Sequence, residues 1–355
     1  MNRATLSFLV PLTTSVKQAM KRLEETSQKI LFVVGADSEL VGSLTDGDIR
    51  RWILAEGSLD AAVESVCNKR PYFVDQAYNL DSIRKTMVDK HINCIPVVNG
   101  RNEISELLFW EDLFKDESMA EPRHVTLPVV IMAGGKGTRL DPFTKILPKP
   151  LIPIGEKTII EMIIDSFLTY CVSKFYISVN YKSKIIKSFF EELNPPYSID
   201  YIHENKPLGT AGSLKYLLGK VQESFFVTNC DILINSDYAE LAEHHDSHAN
   251  DITIVASLKN FHIPYGICEI VNGGTLTRIT EKPEYDFLVN TGMYVLRAST
   301  LNLIPDNEIF HMTDLIDAVK GQGGKVGVFP ISGDAWLDTG EWAEYKNTLK
   351  HLMTE

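Results

Sequence analysis

The 355-residue sequence lacks the features that mark secreted, zinc-bound and membrane-spanning proteins. Its five cysteines are scattered and form no Cys-x-x-Cys pair, which argues against both a disulfide framework and a structural zinc site. No apolar run approaches the length of a membrane span, and no early segment combines a basic start with a long apolar stretch. We therefore expect reduced thiols, a cytoplasmic location and no membrane partner.

Positive charge is also scarce. Lys and Arg together number 35, against 47 Asp and Glu residues, and the formal net charge is −12. This excess of negative charge repels nucleic-acid backbones over most of the surface, so we expect no nucleic-acid partner and a local cationic site for any nucleotide. The hydrophobic content of 44% supplies ample material for a core, and the length suggests about two domains.

Residues before about 120 contain an internal repeat. Val10 aligns with Val74, Leu44 with Leu108 and Asp48 with Asp112, at a constant offset of 64 positions. Each copy predicts a helix, a strand, a turn, a second strand and a closing helix, with the first helices at about 15–25 and 79–90. Two such units can bury their apolar faces on each other.

The segment GSLTDGDIRR, from Gly42 to Arg51, resembles the cystathionine-β-synthase (CBS) domain family. The resemblance implies an α+β tandem CBS regulatory domain over 1–120, with repeats at about 1–60 and 65–118, in which Thr45 and Asp48 hold the phosphate and ribose of AMP, ADP or ATP. Thr45 sits where a helix is predicted to begin, so its hydroxyl and the helix N-terminus can both face an anion. Phe109 replaces Thr45 in the second copy, which puts a second nucleotide site in doubt.

A second interpretation of this pair stays open. Thr45 would then be only an N-cap and Asp48 a first-turn acid, and the tandem would be a dimerisation platform without a ligand. In both interpretations, the exposed face of such a pair favours a homo-oligomer, either a dimer or a higher assembly.

A glycine-rich loop follows the apolar run from Leu127 to Met132. The run has the pattern of a buried parallel strand that opens into a ligand loop. Three glycines within four residues let backbone N–H groups approach a polyanion, and Arg139 adds a planar fork for phosphate oxygens. We therefore predict a phosphate-binding loop formed by Ala133, Gly134, Gly135, Lys136, Gly137, Thr138 and Arg139.

Two common phosphate loops are excluded by the residues present. A P-loop needs Ser or Thr after its lysine, but Gly137 follows Lys136, and a dinucleotide fingerprint needs a third glycine where Leu140 stands. The pattern GGKGTRL, followed by Pro142, Thr144 and the block Pro148–Leu151, closely resembles the sugar-1-phosphate nucleotidyltransferase family.

Apolar runs alternate with helical patterns after the charged, proline-punctuated segment Lys115–Pro128, where we place the domain boundary. The alternation and the resemblance together predict an α/β, Rossmann-like nucleotidyltransferase domain over 125–355 with a mixed central sheet and ligand sites at the carboxyl ends of its strands. The predicted strands are Val129–Met132, Phe175–Val179, Ile199–Ile202, Phe225–Thr228 and Ile252–Ala256. The predicted helices lie at about 158–170, 182–193, 210–219 and 236–248.

The resemblance implies two magnesium ligands. Asp231 follows the strand Phe225–Thr228 as the family's metal-binding aspartate does, and Asp338 lies in the family's Trp-x-Asp-x-Gly motif. Cys230 stands where the family has glycine, a departure that leaves the carboxylate in place. Two carboxylates with phosphates and water suit Mg²⁺ rather than zinc. Taken alone, an aspartate at a strand end is as readily a helix cap.

The resemblance also implies the substrate contacts. Gly209 and Thr210 are expected to lie against the base, and the alternative is a Pro-Leu-Gly turn followed by a Thr cap. The nucleotide-binding residues are Ala133, Gly134, Gly135, Gly137, Thr138, Gly209 and Thr210. The sugar-phosphate-binding residues are Tyr265, Gly266, Glu281, Lys282, Asn290 and Thr291.

The charge of the reactants dictates the expected mechanism. A sugar 1-phosphate oxygen is already anionic, so its attack on the α-phosphorus of a nucleoside triphosphate (NTP) needs no general base. The barrier is electrostatic, and cations fixed before reaction lower it. We therefore expect Arg139, Lys149 and Asp231 to be catalytic, with Lys282 on the incoming phosphate.

Only the resemblance to a known group of enzymes limits the choice of substrates. The whole chain resembles the group that includes glucosamine-1-phosphate guanylyltransferases of bacterial nonulosonic-acid pathways, which implies GTP and glucosamine 1-phosphate or a related hexose 1-phosphate, although no residue excludes uridine, thymidine or cytidine. The alternatives are a cytidylyltransferase for a non-sugar phosphate, such as phosphocholine, and an inactive nucleotide-sensing protein. The presence of Arg139, Asp231 and Asp338 argues against the second alternative.

Two further patterns invite a functional interpretation. His244, His245 and His248 have metal-ligand spacing but are expected to close an exposed helix. Phe189 and Phe190 are expected to pack in the core rather than to stack on a base.

Overall fold

The computed structural model describes residues 6–26, 30–90, 92–113, 123–333, 335–342, 344–346 and 348. The chain forms two compact units, Met1–Glu121 and Pro122–Glu355. In the described part of the chain, every helix is too short or too polar to cross a bilayer.

The first unit contains two copies of one small α/β arrangement. In each copy, the first strand pairs in parallel with the second, and the second pairs antiparallel with the third. The strands are β1 (Leu9–Pro11), β2 (Ile30–Val34), β3 (Leu40–Thr45), β4 (Val74–Asp75), β5 (Cys94–Val98) and β6 (Ile104–Phe109). The helices are α1 (Val16–Thr26), α2 (Asp46–Leu54), α3 (Leu80–Lys90) and the single turn α4 (Trp110–Leu113).

The two copies bury their sheets against each other, because each small sheet alone would leave its apolar face in water. The rings of Phe8 and Phe109 pack at a centroid distance of 5.1 Å. Asn102 joins the copies through its side-chain amide, which donates to the Leu40 carbonyl at 2.9 Å. The shared core consists of Phe8, Phe32, Val34, Leu40, Cys94, Val98, Ile104 and Leu107.

The second unit is built on a seven-stranded mixed sheet of order β11-β10-β7-β12-β17-β14-β18. The first four strands are parallel, whereas β17 is antiparallel to both of its neighbours. The predicted α/β class with a mixed central sheet is confirmed. The sheet strands are β7 (Val129–Met132), β10 (Lys174–Val179), β11 (Ser198–His203), β12 (Ser224–Asn229), β14 (Ile252–His262), β17 (Glu284–Arg297) and β18 (Val326–Ile331).

Helices cover both faces of this sheet. Alternate residues of β7 and β10 point into two separate apolar clusters, so each strand is buried on both sides. One cluster contains residues of α5 (Ile159–Leu168), α6 (Ser183–Leu193) and α7 (Tyr238–Ser247), and the other contains residues of α8 (Met312–Gly321) and of the 3₁₀ helices Gly212–Leu217 and Ala298–Leu303. The predicted core packing of Phe190 and Phe189 on α6 is confirmed.

Short ribbons complete the second unit. Its two-stranded elements are β8 (Pro153–Ile154) with β9 (Lys157–Thr158), β13 (Ile232–Ile234) with β19 (Trp336–Asp338), and β15 (Ile267–Ile270) with β16 (Leu276–Thr280). Three further 3₁₀ turns lie at Thr138–Leu140, Phe143–Lys145 and Lys149–Leu151.

Two predicted elements differ from the structure. The segment predicted as a helix at 210–219 is a 3₁₀ helix, Gly212–Leu217. The backbone N–H groups of Ala211 and Gly212, which have no partner within the helix, both donate to the Phe310 carbonyl at 3.0 Å. Strand β14 continues to His262 because β17 pairs with it beyond Ser257, where β18 ends.

Candidate active site

The loop after β7 is packed against the segment that carries Lys149. Gly137 has a φ of +67°, and a side-chain methyl placed there would lie 2.9 Å from Lys149 Cβ and 3.0 Å from Thr144 Cγ2. Only glycine fits this position without displacing its neighbours. The structure therefore brings the predicted phosphate loop and Lys149 together.

The two predicted metal ligands face one space. Asp231 follows β12 and Asp338 ends β19, and the β13–β19 pairing places Ile232 opposite Asp338. A methyl placed at Gly340 would lie 2.8 Å from Asp338 Oδ1 and 3.1 Å from Asp231 Oδ2. The Gly340 N–H donates to Asp338 Oδ1 at 2.6 Å and orients that carboxylate.

Lys149 completes this cluster. Its side chain is buried, and its ammonium donates to Asp231 Oδ2. Burial raises the pKa of the Asp338 carboxyl, and the negative charge of Asp231 adds to the rise, whereas the Gly340 N–H, Lys149 and Arg139 oppose it. The cluster therefore holds two acids and one ammonium group in a half-buried pocket.

The donor set fits a hard divalent cation. Two carboxylates supply oxygen ligands, and among the described residues no cluster of three or more His, Cys, Asp or Glu side chains offers a complete protein cage. Mg²⁺ is commonly held by one or two carboxylates with phosphate and water in the remaining positions. Cys230 is buried beside these acids, and its burial raises its pKa to about 12.

Arg139 lies outside this buried cluster. Its guanidinium donates to Glu341 Oε1 at 3.2 Å, and the two side chains are 65% and 60% exposed. Glu341 follows the Asp338–Gly340 turn, so the acid that pairs with Arg139 belongs to the segment that carries the second metal ligand. The sequence reasoning did not single out Glu341.

A second acid that the sequence reasoning did not single out lies beside the glycine loop. Glu204 follows β11, and a methyl placed at Gly134 would be 2.7 Å from its Oε1 atom. Ser178 donates to the same oxygen, and the Leu208 N–H donates to Oε2 at 3.4 Å. The available signal was a carboxylate directly after a parallel strand, at the sheet edge where ligands bind.

Comparison with known proteins decides the family. The nucleotidyl transferase family profile matches residues 128–355, which is most of the chain. The chain belongs to the nucleotidyl transferase family. The CBS domain profile matches residues 7–55 and 63–116, and CBS domains commonly bind adenine nucleotides. The resemblance noted from the sequence is thus confirmed for both domain types.

Curated relatives and solved structures agree with this assignment. A mannose-1-phosphate guanyltransferase of Aspergillus oryzae is 32% identical over 225 residues, which are 61% of this chain and 61% of that protein. One from Hypocrea jecorina is 35% identical over 222 residues, 60% of each chain. The chain therefore spans about three fifths of these relatives' length.

Among solved structures, HddC from Yersinia pseudotuberculosis matches with a TM-score of 0.51 and 26% identity, covering 64% of this chain and 100% of that one. A structure of HddC complexed with GMP-PN matches with the same TM-score, 25% identity and the same coverage. A putative glucose-1-phosphate thymidylyltransferase from Bacillus anthracis shares the fold, with a TM-score of 0.50, 18% identity and coverage of 64% of this chain and 95% of that one. Nucleotidyltransferases of this family generally use a divalent metal.

The segment predicted to contact the base is held by the loop before α8. Gly209 has a φ of +80°, and a methyl placed there would lie 2.6 Å from the Phe310 carbonyl oxygen. Thr210 Oγ1 accepts from the Met312 N–H at 2.9 Å. Thr210 therefore helps to cap α8, and a base contact for either residue stays a prediction.

The predicted sugar-phosphate residues are only partly brought together. A methyl placed at Gly266 would lie 2.9 Å from Glu281 Oε2, so these two positions adjoin, and Lys282 follows with a φ of +45°. Thr291 is buried and donates to the Val255 carbonyl at 2.8 Å. The side-chain amide of Asn290 donates to the Tyr294 hydroxyl at 2.8 Å. Tyr265 is exposed, and the roles of all six residues stay predictions.

In the first unit, Thr45 and Asp48 form a reciprocal capping box at the start of α2. Thr45 Oγ1 accepts from the Asp48 N–H at 3.2 Å and donates to Asp48 Oδ2 at 2.7 Å, while the Thr45 N–H donates to Asp48 Oδ2 at 2.8 Å. Arg51 pairs with the other carboxylate oxygen at 2.6 Å. The capping interpretation thus describes the local geometry, and nucleotide binding stays a prediction.

The prediction that the three histidines close an exposed helix is wrong for His245. His245 is fully buried, and its ring nitrogens contact Ser224 Oγ at 3.1 Å and Thr253 Oγ1 at 2.9 Å. The rings of His244 and His248 stack at 4.2 Å. Helix α7 packs on the sheet, and His245 lies on the helix face that contacts β12 and β14. A residue on that face is buried even when its side chain is polar.

Proposed function

We propose that this chain transfers a guanylyl group from GTP to a hexose 1-phosphate, such as glucosamine 1-phosphate, and releases pyrophosphate. The observation that carries the proposal is that Asp231 and Asp338 face one space beside Lys149, next to the glycine loop. The names of the relatives, mannose-1-phosphate guanyltransferases, and the GMP-PN complex of HddC support a guanine nucleotide.

The chemistry follows from the charges of the groups. An anionic oxygen of the sugar phosphate forms a bond to the α-phosphorus, the bond to the β-phosphate bridging oxygen breaks, and the electron pair leaves with pyrophosphate. Lys149 would neutralise charge at the α-phosphate, and the N–H groups of the glycine loop would bind the leaving phosphates. Asp231 and Asp338 would hold Mg²⁺, which when bound offsets the repulsion between the phosphate groups. Arg139 and Lys282 would add positive charge for the phosphates of the two substrates.

Glu204 supports the choice of guanine. Guanine presents two adjacent donors, the N1–H and the N2 amino group, whereas uracil, thymine and cytosine do not, and a carboxylate can accept from both. The carboxylate of Glu204 lies beside Gly134, at the edge of the loop that would hold the phosphates. The Ser178 hydroxyl and the Leu208 N–H fix this carboxylate and leave lone pairs for a base.

We further propose that the first unit is a regulatory domain that binds one adenine nucleotide per chain near Thr45 and Asp48. The Phe8–Phe109 ring pair fills the position equivalent to Thr45 in the second copy, which leaves one candidate site. A homo-oligomer and a cytoplasmic location stay predictions.

A pyrophosphate-release screen tests the catalytic proposal. It crosses GTP, ATP, CTP, UTP and dTTP with several hexose 1-phosphates and phosphocholine, with and without Mg²⁺ and AMP. We expect the fastest Mg²⁺-dependent release with GTP and a hexose 1-phosphate, and loss of that release in Asp231→Asn. Asp246→Asn, an exposed acid on α7, is the matched control and should keep wild-type turnover.

Two outcomes would replace the proposal. Release with CTP and phosphocholine would favour a cytidylyltransferase for a non-sugar phosphate. Binding of nucleotides without turnover of any pair would favour a nucleotide-sensing protein.

A further inference from the structure

The cations proposed for the phosphates are paired with acids of the same site. Lys149 donates to Asp231, and Arg139 donates to Glu341. We propose that these acids are the resting partners of the two cations, so that a divalent ion and a triphosphate bind poorly alone and bind together by an exchange of partners. This inference rests on the proposed function of the same site.

The buried pair carries most of the effect. Asp231 Oδ2, the oxygen that accepts from Lys149, also faces the space shared with Asp338 Oδ1. Lys149 Nζ would be 3.5 Å from a methyl placed at Gly340, within the same space. A divalent ion shared by the two carboxylates therefore lies close to the ammonium, and like charges repel more strongly in a half-buried pocket than in bulk water.

Binding of a triphosphate alone is opposed by the ion pair between Lys149 and Asp231. Lys149 is only 7% exposed, so it gives up Asp231 at a substantial energetic cost unless a new cation neutralises the acid. A divalent ion supplies that neutralisation, and the α-phosphate supplies a new partner for the ammonium. Each ligand thus frees the group that the other needs, and linkage makes this coupling reciprocal.

The exposed pair has a smaller effect. Arg139 and Glu341 are both more than half exposed, and exposed ion pairs contribute little free energy. We assign Glu341 as the resting partner of Arg139, which competes weakly with a triphosphate for the guanidinium. Its removal should strengthen metal-free triphosphate binding by at most about fivefold.

Binding of Mn²⁺ without nucleotide tests the metal side. Free Mn²⁺ is measured by electron paramagnetic resonance in titrations of the full chain. Lys149→Met should bind Mn²⁺ at least about tenfold more tightly than wild type. Lys145→Met removes the same charge from an exposed position of the same segment and should bind as wild type does. Equal affinities in Lys149→Met and wild type would overturn the proposal.

Binding of GTP in EDTA tests the nucleotide side. Asp231→Asn and Asp338→Asn remove the same charge from the same pocket, but only the first releases Lys149. Metal-free GTP should therefore bind about tenfold more tightly to Asp231→Asn than to Asp338→Asn, and equal affinities would overturn the exchange. Glu341→Gln should bind metal-free GTP up to about fivefold more tightly than Glu344→Gln, which removes an exposed acid of the same segment. Any GTP binding to the first unit is shared by all variants and cancels.

These measurements separate the inference from the proposed function. The Mn²⁺ comparison needs no substrate, so it stays interpretable even if the pyrophosphate screen identifies another reaction. A chain that turns over GTP but shows no contrast between the paired variants would refute the exchange of partners alone.

Discussion

Thr339 donates both its backbone N–H and its side-chain hydroxyl to the carbonyl oxygen of Asp231, each at 2.8 Å. The two residues are 108 positions apart in the chain. These contacts fix the backbone at Asp231 against the segment that carries Asp338. The Gly340 N–H then orients the Asp338 carboxylate. The spacing of the two acids is therefore set mainly by backbone pairing.

Thr339→Val tests this arrangement. Thr339 is fully buried, and valine keeps its shape but removes one of the two hydrogen bonds to Asp231. We expect a loss of about 1 kcal/mol in the free energy of unfolding and about tenfold weaker use of Mg²⁺, measured by denaturant titration and by the Mg²⁺ dependence of turnover. Thr300→Val is the control, because this buried hydroxyl donates at 2.8 Å to the Arg297 carbonyl, outside the site. Equal Mg²⁺ dependence in the two variants would show that Thr339 is only structural.

Glu204→Gln tests whether Glu204 recognises the guanine base. An amide replaces one of the two acceptor oxygens with an NH₂ donor, so it loses a bond to guanine and matches uracil better. We expect kcat/KM for GTP to fall by about tenfold or more and the ratio of GTP to UTP turnover to fall with it. Glu191→Gln, an exposed acid on α6, should leave the ratio unchanged. An unchanged ratio in Glu204→Gln would remove this residue from base recognition.

Thr45→Val separates capping from nucleotide binding in the first unit. The loss of the cap should cost about 1 kcal/mol of unfolding free energy, whether or not a nucleotide binds. Thr158→Val removes the equivalent hydroxyl from the capping box of Thr158 and Glu161 at α5, so it is a matched control. If Thr45 contacts phosphate, AMP should bind at least about tenfold more weakly to Thr45→Val and normally to Thr158→Val, as measured by calorimetry. Identical AMP affinity in both variants would leave only the capping role.

His245 predicts a pH dependence of stability. Burial lowers the pKa of His245 from its ordinary value of 6.5, Arg297 adds to this lowering, and Asp246 and Asp251 oppose it. Below pH 6.5 the unfolded chain binds a proton that the folded chain rejects, so stability should fall as pH falls, by at most about 1.4 kcal/mol per pH unit. His245→Gln should lose this part of the slope in denaturant titrations between pH 7.5 and 5.5. A slope equal to that of wild type would assign the pH dependence to other groups.

The sequence was sufficient where a pattern is local. The apolar runs predicted β7, β10, β11 and β12. Strands β7, β10 and β12 are buried on both faces, which makes them apolar at most positions, whereas β11 is an edge strand whose residues alternate between exposed and more buried. The glycine loop was predictable because Gly137 is required by close packing that no other residue allows. The proximity of Asp231 and Asp338 was expected only by resemblance, because the β13–β19 pairing that creates it has no local signature.

Where tertiary contacts decide, the sequence was insufficient. The segment Gly212–Leu217 is a 3₁₀ helix whose N-terminus bonds to the Phe310 carbonyl, and no residue within that segment indicates this contact. His245 has a polar side chain, yet it faces the sheet and is buried. Glu204 is identified as a candidate site residue only by its position beside Gly134. Thr291 was grouped with the sugar pocket by its motif, yet its hydroxyl is bonded inside the sheet.

The pairing of β13 with β19 has a consequence for a chain that is still being synthesised. When Asp231 has been added to the growing chain, the strand that completes the pocket is still about a hundred residues from being made. The glycine loop can form early, but the two acids meet only after β19 has folded back onto β13. Any activity that depends on both acids therefore begins only once translation has passed Gly340.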